Sequence, residues 1–291
     1  MPPKLLKHKP RHPDPRSTTA MNRRHLLRLA PLAALAACSD PAASSKATTG
    51  TAGTKPLVIG MDMTYPPFEF KNPKGEPDGV DVRIAEALAA SLNRPLTLEP
   101  LPFEGLIAAL KSGKIDCAIS AMTANDERRK SIDFSDPYAF TAIAMLVGTK
   151  TPIQSAADLA KQGTRFTAKL GTTGESFVRA TYPDAPLTSL DDESACVLEV
   201  AQGRADAFIY DQLSILSYHL KNKDTTRALL QPIREEAWAI GLKKGNDSLL
   251  TSVNAFLKTF RESGGLARLG DQYLASEKKL MESMGIPFIL R

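Results

Sequence analysis

Short apolar runs alternate along the chain with segments whose apolar residues recur at helical spacing. The run Leu57–Met61 ends in the proline-bounded turn TYPPF, which predicts a strand that points into a loop. Apolar positions from 82 to 92 and from 106 to 110 predict two helices, the second ended by Gly113. The apolar run at 115–119 then predicts a buried strand.

The same order of strand and helix recurs in the second half of the chain. It predicts strands at 165–170 and 205–210, and helices that start at Glu175, span 193–202 and end at Gly203, and span 211–220. A helical tail is predicted over 248–274. Regular alternation of strands and helices is typical of an α/β fold with parallel sheets.

Two extended stretches, 141–147 and 237–242, bracket a block that has its own alternating pattern. A chain that leaves one lobe, builds a second and returns would have this pattern, with 56–143 and 240–291 forming lobe 1 and 144–239 forming lobe 2. One continuous doubly wound sheet would produce the same periodicity. The pattern by itself leaves both arrangements open.

The N-terminal segment has the layout of an export signal. From position 21 the chain reads MNRRHLLRLAPLAALAACSD, in which a basic start is followed by a short apolar run and small residues. The four residues LAAC that end at Cys38 resemble a bacterial lipobox, so we expect a lipoprotein signal peptide at 21–37 and lipid on Cys38. An ordinary signal peptide that happens to end near a cysteine is the alternative.

Two flanking segments are excluded from the predicted fold. Residues 1–20 precede a second methionine and are interpreted as a mis-assigned start, and 38–55 are rich in Ser, Thr, Ala and Gly, which predicts a flexible tether. No window of 18 uninterrupted apolar residues occurs, so no membrane-spanning helix is predicted in the mature protein.

The charge distribution argues against a nucleic-acid partner. The formal net charge is +5, but residues 1–37 hold eight Lys or Arg and one Asp, a net of +7, so the remainder carries −2. A slightly acidic folded part has no general attraction for phosphate. Three of the four histidines also lie in the first 25 residues, which argues against a His-based metal site or a Ser-His-Asp triad.

Two cysteines remain in the predicted domain once Cys38 is assigned to lipid. Cys117 lies in a strand-like run and Cys196 in a helix-like one. An oxidising compartment would permit a bond between them. Two buried, unpaired thiols are the preferred interpretation, because cysteine is often buried without pairing.

The segment TANDERRKSIDFSDPY contains the most informative charge in the domain. Asn125 can cap a short helix, and Asp126 suits its first turn. Arg128 opposes the helix dipole there, so it either pairs with a local acid such as Asp126 or binds an anionic ligand such as a carboxylate. The loop GTTG at 171–174 before a helix is a further candidate anion site, without the GK[ST] ending of an ATP-binding loop.

Seven motifs together resemble bacterial solute-binding protein family 3, the extracytoplasmic receptors of polar amino-acid ABC transporters, and most closely glutamine-binding members. They are MDMTYPPFEF, GVDVRIAEALA, PFEGLIAALKSGKID, TANDERRKSIDFSDPY, KLGTTGES, GRADAFIYD and AIGLKKGN, in the family's order from position 56 to about 274. The resemblance implies a two-lobed α/β fold of the type II periplasmic binding protein class. Two hinge strands would join the lobes, which close on the ligand.

The resemblance also implies the ligand-binding residues. Arg128 would bind the ligand α-carboxylate, helped by Thr123 and by the hydroxyls and backbone N–H groups of Thr172, Thr173 and Gly174. Asp211 would bind the α-ammonium with Ser120 or nearby carbonyls, and Tyr65 and Phe103 would be aromatic walls. From the residues alone, Asp211 could instead be a helix N-cap and the two aromatic residues could be core.

Two further positions, Asp62 and Lys169, fall where the family reads the ligand side chain. Lys169 would repel a cationic side chain, which argues against arginine, lysine or histidine and favours an amide or acidic ligand. Asp62 could accept an amide N–H while Lys169 donates to the amide oxygen. A glutamine-like ligand is therefore expected.

The expected function is that of a lipid-anchored, monomeric periplasmic receptor that captures a polar amino acid and delivers it to a membrane permease. No catalytic residue, metal or cofactor is expected. The alternative is a periplasmic cyclohexadienyl dehydratase on the same scaffold, acting on prephenate or arogenate. That enzyme would need a pocket acid such as Glu69 or Glu175 to protonate the leaving hydroxyl, and Asp211 argues against prephenate, which has no ammonium.

Overall fold

The computed structural model describes residues 54–290. The predicted start, the signal peptide, Cys38 and most of the tether lie outside these residues. Within them, none of the helices combines the length and the apolar character that crossing a membrane requires.

Eleven strands and nine α-helices follow one another in the described residues. The first half contains β1 (Leu57–Met61), β2 (Thr64–Tyr65), β3 (Glu69–Lys71), β4 (Pro77–Asp78), α1 (Val80–Ser91), β5 (Leu96–Pro100), α2 (Leu106–Ser112), β6 (Cys117–Ala118), α3 (Asp126–Arg129) and β7 (Ile132–Gly148). The second half contains β8 (Phe166–Lys169), α4 (Thr173–Thr181), β9 (Leu187–Leu190), α5 (Glu193–Ala201), β10 (Ala207–Asp211), α6 (Gln212–Lys221), β11 (Thr226–Lys243), α7 (Asp247–Glu262), α8 (Gly265–Tyr273) and α9 (Ala275–Ser283).

The two long strands β7 and β11 join two α/β lobes. The main sheet has the order β5-β1-β6-β11-β7-β10-β8-β9, in which β7 and β11 run antiparallel. In lobe 1 these two strands pair with each other and β11 also pairs with β6, whereas β7 at 143–147 pairs with β10 of lobe 2. One hydrogen-bonded sheet therefore serves both lobes, and the two-lobed fold expected from the resemblance is present.

Most predicted elements form where the pattern indicates them, with differences at the boundaries. α2 ends at Gly113, which adopts φ +77° and terminates the helix in the left-handed conformation that glycine favours. The strand predicted over 115–119 is only two residues long. α4 begins two residues earlier than predicted because the Thr172 hydroxyl accepts from the backbone N–H of Glu175 and so caps the helix.

An aromatic cluster packs where the hinge strands meet lobe 1. Trp238 on β11 is fully buried, and its ring lies edge-on to Phe68 at 4.9 Å and to Tyr65 at 6.2 Å. The backbone of Thr123 forms a bridge to Trp238. The hinge is therefore fixed directly to the segment that leads into α3.

The two cysteines are free thiols in the structure. Cys117 on β6 and Cys196 on α5 are both fully buried. Burial raises the pKa of each thiol to about 12, so neither thiolate is populated at neutral pH. The structure thus has two buried, unpaired thiols, as preferred from the sequence, and the alternative disulfide between Cys117 and Cys196 is not formed.

Candidate functional site

A cavity lies between the lobes, next to the ends of β1, β6, β8 and β10. β1 and β6 are parallel to each other, and β8 and β10 are parallel to each other but run in the opposite direction. The residues that follow the strands therefore converge within each lobe, and ligands of open α/β sheets bind at such strand ends. Its wall is formed by Asp62, Tyr65, Glu69, Phe103, Ser120, Ala121, Thr123, Arg128, Ile143, Lys169, Thr172, Thr173, Tyr210 and Asp211.

Ten of the eleven residues singled out as ligand-binding lie on this wall. The exception is Gly174 in the first turn of α4. A Cβ atom there would lie 2.1 Å from the carbonyl oxygen of Ile209, so glycine is required because α4 packs directly on the backbone of β10. The side-chain position of Gly174 therefore serves helix packing, and only its backbone could face a ligand.

Arg128 is a buried cation that has no acidic partner within residues 54–290. Asn125 caps α3 by accepting from the backbone N–H of Arg128, which directs the side chain inward. The guanidinium Nη1 donates to the Thr123 carbonyl at 2.9 Å, and Nη2 donates across the cleft to the Gly171 carbonyl at 3.0 Å. The guanidinium carbon lies 5.2 Å from the Phe103 ring centroid.

No carboxylate in residues 54–290 forms an ion pair with this guanidinium, so the local pairing with Asp126 is not formed. Burial lowers the pKa of Arg128 to about 10, although the carboxylates of Glu236 and Asp211 oppose this shift. The group remains charged at neutral pH. A buried, unpaired guanidinium is the arrangement that a carboxylate ligand would complete.

Glu236 on β11 is a functional side chain that the sequence patterns did not reveal. Its Oε2 accepts from the hydroxyls of Thr123 at 2.7 Å and Thr173 at 2.8 Å, and its Oε1 accepts from Arg234 at 2.6 Å. Thr172 donates its hydroxyl to the Lys169 carbonyl.

The three threonine hydroxyls are therefore not free donors for a ligand, contrary to expectation, because each has one proton and a partner within the protein. Glu236 lies in an alternating strand next to Glu235, so nothing in the local pattern separates it from an exposed acid. The donors that remain for an anion are the Arg128 guanidinium and the first backbone N–H groups of α4, which have no partner within the helix.

Asp211 is the corresponding acid, half-buried on the cavity wall. Its Oδ2 accepts from the Tyr65 hydroxyl at 3.1 Å, and that hydroxyl also lies 2.7 Å from Ser214 Oγ. Asp211 occupies the N-cap position of α6 but makes no capping hydrogen bond, so the cap interpretation does not account for its side chain. Burial raises the pKa of Asp211 to about 8, and the negative charge of Glu236 adds to the shift.

The Asp62 and Lys169 side chains, expected to read a ligand side chain, bind each other. Lys169 Nζ lies 2.7 Å from Asp62 Oδ2, 2.9 Å from Glu193 Oε2 and 3.2 Å from Thr64 Oγ1. All these groups but Thr64 are buried. Burial alone would lower the pKa of Lys169, but Glu193 and Asp62 outweigh that effect and raise it.

These contacts change the expectation that Lys169 would repel a cationic ligand side chain. The Lys169 ammonium is surrounded by two carboxylates, so its charge is already compensated and does not exclude a cationic side chain. Glu193 was missed because the first residue of a helix commonly carries an acid for reasons of helix dipole alone.

A second pair of acids consists of Glu69 on the cavity wall and Asp81 behind it. Ser120 donates to Glu69 Oε1 at 2.7 Å and accepts from the backbone N–H of Asp62 at 3.0 Å, so it has no proton left for a ligand and could only accept from a ligand ammonium. Asp81 Oδ2 accepts from the Tyr138 hydroxyl and from the backbone N–H of Ala121, both at 2.8 Å. Burial raises the pKa of Asp81 to about 6 and that of Glu69 well above its ordinary value.

Within the described part of the chain, no group of three or more His, Cys, Asp or Glu side chains has an arrangement that could hold a metal ion. The cavity presents a guanidinium, a carboxyl group and hydrogen-bonding groups from both lobes. Arg128 and Tyr65 come from lobe 1 and contact Gly171 and Asp211 of lobe 2.

Comparison with known proteins is consistent with this geometry. The chain is 32% identical over 223 residues to the L-cystine-binding protein TcyJ of Escherichia coli, an alignment that covers 76% of this chain and 83% of TcyJ. Solved structures of an ancestral arginine-binding protein bound to glutamine and bound to arginine each give a TM-score of 0.69 at 32% identity and cover 75% of this chain and 97% of theirs.

A third similar structure is the ancestral amino acid-binding protein AncCDT-1, described as a precursor of cyclohexadienyl dehydratase, with a TM-score of 0.68, 32% identity and coverage of 75% of this chain and 94% of its own. Residues 57–276 match the family model of the bacterial extracellular solute-binding proteins, family 3. The chain therefore belongs to family 3 of the bacterial extracellular solute-binding proteins.

Proposed function

We propose that this protein is the extracytoplasmic substrate-binding component of an amino-acid ABC transporter, which closes its lobes on one polar amino acid and delivers it to a permease in the inner membrane. One observation carries the proposal: the cavity wall holds the buried guanidinium of Arg128 and the half-buried carboxyl of Asp211, and neither has an ionic partner among the described residues. Family membership and the amino-acid ligands in the names of the relatives support it.

A zwitterion fits these two groups. Its α-carboxylate would bind the Arg128 guanidinium and the first backbone N–H groups of α4 at Thr173 and Gly174, and its α-ammonium would bind Asp211. Transfer of both charges from water is unfavourable unless each is paired and hydrogen-bonded, so a site that offers both partners selects the amino-acid backbone. A receptor of this kind is expected to bind the amino acid without turnover, because none of the covalent bonds of the ligand has to change.

The favoured ligand is glutamine-like. Asp62 lies on the wall and can accept from an amide N–H, and Tyr210 on the same wall can donate to an amide oxygen. Because the charge of Lys169 is compensated, arginine is a second ligand to test, and the ancestral relative with glutamine-bound and arginine-bound structures supports including both.

The remaining organisation is part of the same proposal. The signal peptide at 21–37 would be removed, lipid on Cys38 would anchor the protein to a membrane, and the tether would let a monomeric domain reach its permease. Lobe 1 would comprise 56–143 and 240–291, and lobe 2 would comprise 144–239. Lipid analysis of Cys38→Ala, with membrane release as the readout, tests the anchor.

A thermal-shift screen tests the function. The purified protein, unfolded and refolded to remove co-purified ligand, is measured against the common amino acids, prephenate and arogenate. A ligand at a hundred times its Kd adds about 2.7 kcal/mol to the free energy of unfolding, which shifts Tm measurably. A shift with glutamine or another polar amino acid supports the receptor, and no shift with any amino acid contradicts it.

One observation favours the dehydratase as a second candidate. Glu69 lies on the cavity wall, and burial, with Asp81 beside it, raises its pKa well above the ordinary value, so it is a neutral acid that could protonate a leaving hydroxyl. Glu175 is unsuitable, because hydrogen bonds from Ser189 and Arg179 outweigh its burial and lower its pKa. Turnover of arogenate or prephenate by the purified protein would establish this alternative.

A further inference from the structure

Glu193, the first residue of α5, lies behind Lys169 and does not line the cavity. Its side chain is 1% exposed, and its Oε2 accepts from Lys169 Nζ at 2.9 Å. The other neighbours of Nζ are Asp62 and Thr64. An ammonium group has three protons and no acceptor, so these three partners account for every hydrogen bond that Lys169 can donate.

The same contacts give the surroundings of Lys169 a negative balance. Two carboxylates, whose side chains are 7% and 1% exposed, face a single ammonium that is 2% exposed. Water screens such buried charges poorly, so the excess negative charge acts on whatever ligand group lies beside Asp62 and Lys169. Glu69 adds no charge while it is protonated.

Glu193 and Asp62 contribute differently to this balance. Asp62 lines the cavity and would contact the ligand, so its substitution would change contact and charge together. Glu193 does not line the cavity, and its hydrogen bond to the wall is the one that it accepts from Lys169. It can therefore be neutralised without removing a side chain from the wall.

We propose, on the basis of the amino-acid-binding function proposed above, that Glu193 is a specificity-determining residue that acts through Lys169. By holding one Nζ–H and supplying the second carboxylate, Glu193 prevents Lys169 from binding an acidic ligand side chain. The site consequently rejects anionic side chains and selects those that donate hydrogen bonds, whether amide or cationic. Removal of the Glu193 charge makes Lys169 available to a carboxylate.

The test is Glu193→Gln, which is nearly isosteric and leaves Lys169 paired with Asp62. Kd values for glutamine, glutamate and arginine are measured by calorimetry at pH 7. We expect the preference for glutamine over glutamate to fall by about tenfold or more, and arginine to lose affinity relative to glutamine, because the local charge rises by one. Glu193→Asp keeps the charge and should keep the wild-type preference.

The matched control is Glu199→Gln on the same helix. Glu199 pairs with the half-exposed Arg204 at the surface, so the variant has the same change of charge away from the cavity. Its ratio of glutamate to glutamine Kd should equal that of the wild type. The proposal would be overturned if Glu193→Gln also kept the wild-type ratio of glutamate Kd to glutamine Kd, whether both affinities changed together or neither changed.

The wild-type protein supplies a measurement that does not depend on the variant folding. It should bind glutamine at least about a hundredfold more tightly than glutamate, and comparable affinities would overturn the role of Glu193 directly. A wild-type protein that binds no amino acid would instead contradict the proposed function. The two failures are therefore distinguishable.

Discussion

The two ends of the cavity treat charge in opposite ways. At the main-chain end, defined by Arg128 and Asp211, each side chain has hydrogen bonds to neutral neighbours and no ionic partner in residues 54–290. At the side-chain end, defined by Asp62, Lys169 and Glu193, both carboxylates lie within 2.9 Å of the Lys169 ammonium. The first arrangement leaves charge for a ligand, and the second satisfies it internally.

Under the proposed function, this difference separates two tasks of one site. The α-carboxylate and α-ammonium, which all amino acids share, would bind at the main-chain end, where Arg128 and Asp211 have no ionic partner among the described residues. The variable side chain would be selected at the side-chain end by the small excess of negative charge. Loss of a residue should therefore affect ligand binding at the first end and folding stability at the second.

The largest effect is expected for Arg128→Ala. An uncompensated buried ligand carboxylate costs about 3 to 5 kcal/mol, so Kd should rise more than about a hundredfold while the fold persists. Calorimetry with the ligand found by thermal shift measures the change. The control is Arg129→Ala, an exposed neighbour on the same helix, and an Arg128→Ala protein of unchanged affinity would remove the carboxylate site from the main-chain end.

Lys169→Met should act chiefly on stability. It leaves Asp62 and Glu193 buried without their cation, which should lower the free energy of unfolding by about 3 kcal/mol or more in urea denaturation without ligand. Lys161→Met, which breaks the more exposed pair with Asp158, should cost less than about 1 kcal/mol. Equal costs for the two variants would mean that the side-chain end is not held together by its charges.

Asp211→Asn should weaken binding of the amino acid by about 2 kcal/mol or more, because the α-ammonium loses its counter-charge. The des-amino analogue of the same ligand lacks that ammonium, so its Kd should change much less. Competition calorimetry gives both values. Equal losses for ligand and analogue would assign the ammonium to another group.

The smallest effect is a proton released on binding. Burial raises the pKa of Asp211 to about 8, so without ligand the carboxyl is mostly protonated at pH 7, whereas an ammonium ligand requires the ionised form. Affinity should therefore rise with pH, by up to about tenfold per unit, and level off above about pH 8.

Calorimetry in buffers of different ionisation enthalpy would detect the proton at pH 7. The release should be just under one proton per ligand and should be absent in Asp211→Asn. An equal release from that variant would place the titrating group elsewhere, for example on Glu69, Asp81 or Glu193, which are buried acids whose pKa is also raised.

The fold was largely predictable because its signals are local. Periodicity indicates α1 and α2, Gly113 ends α2, and Asn125 caps α3, since each depends on a few consecutive residues. The shared sheet was not predictable, because the pairing of β7 with both lobes depends on residues far apart in the chain.

The candidate site divides in the same way. Arg128 was conspicuous because a cation in the first turn of the predicted helix opposes the local dipole. α3 has only one turn, so Arg128 also lies in its last turn, and within residues 54–290 no acid forms an ion pair with it. Glu193 and Glu236 were inconspicuous, because an acid at a helix start and an acid in an alternating strand are common on surfaces. Only their burial beside Lys169, Thr123 and Thr173 distinguishes them.

The sequence by itself determined the order of strands and helices, the family and the residues gathered at the cavity. The hydrophobic periodicity, the helix caps and the motifs that indicate them each depend on residues close together in the chain. Tertiary structure alone decided which of those residues are available to a ligand. Hydroxyl protons and ammonium protons are limited in number, and distant partners such as Glu236 and Glu193 take them only once the chain has folded.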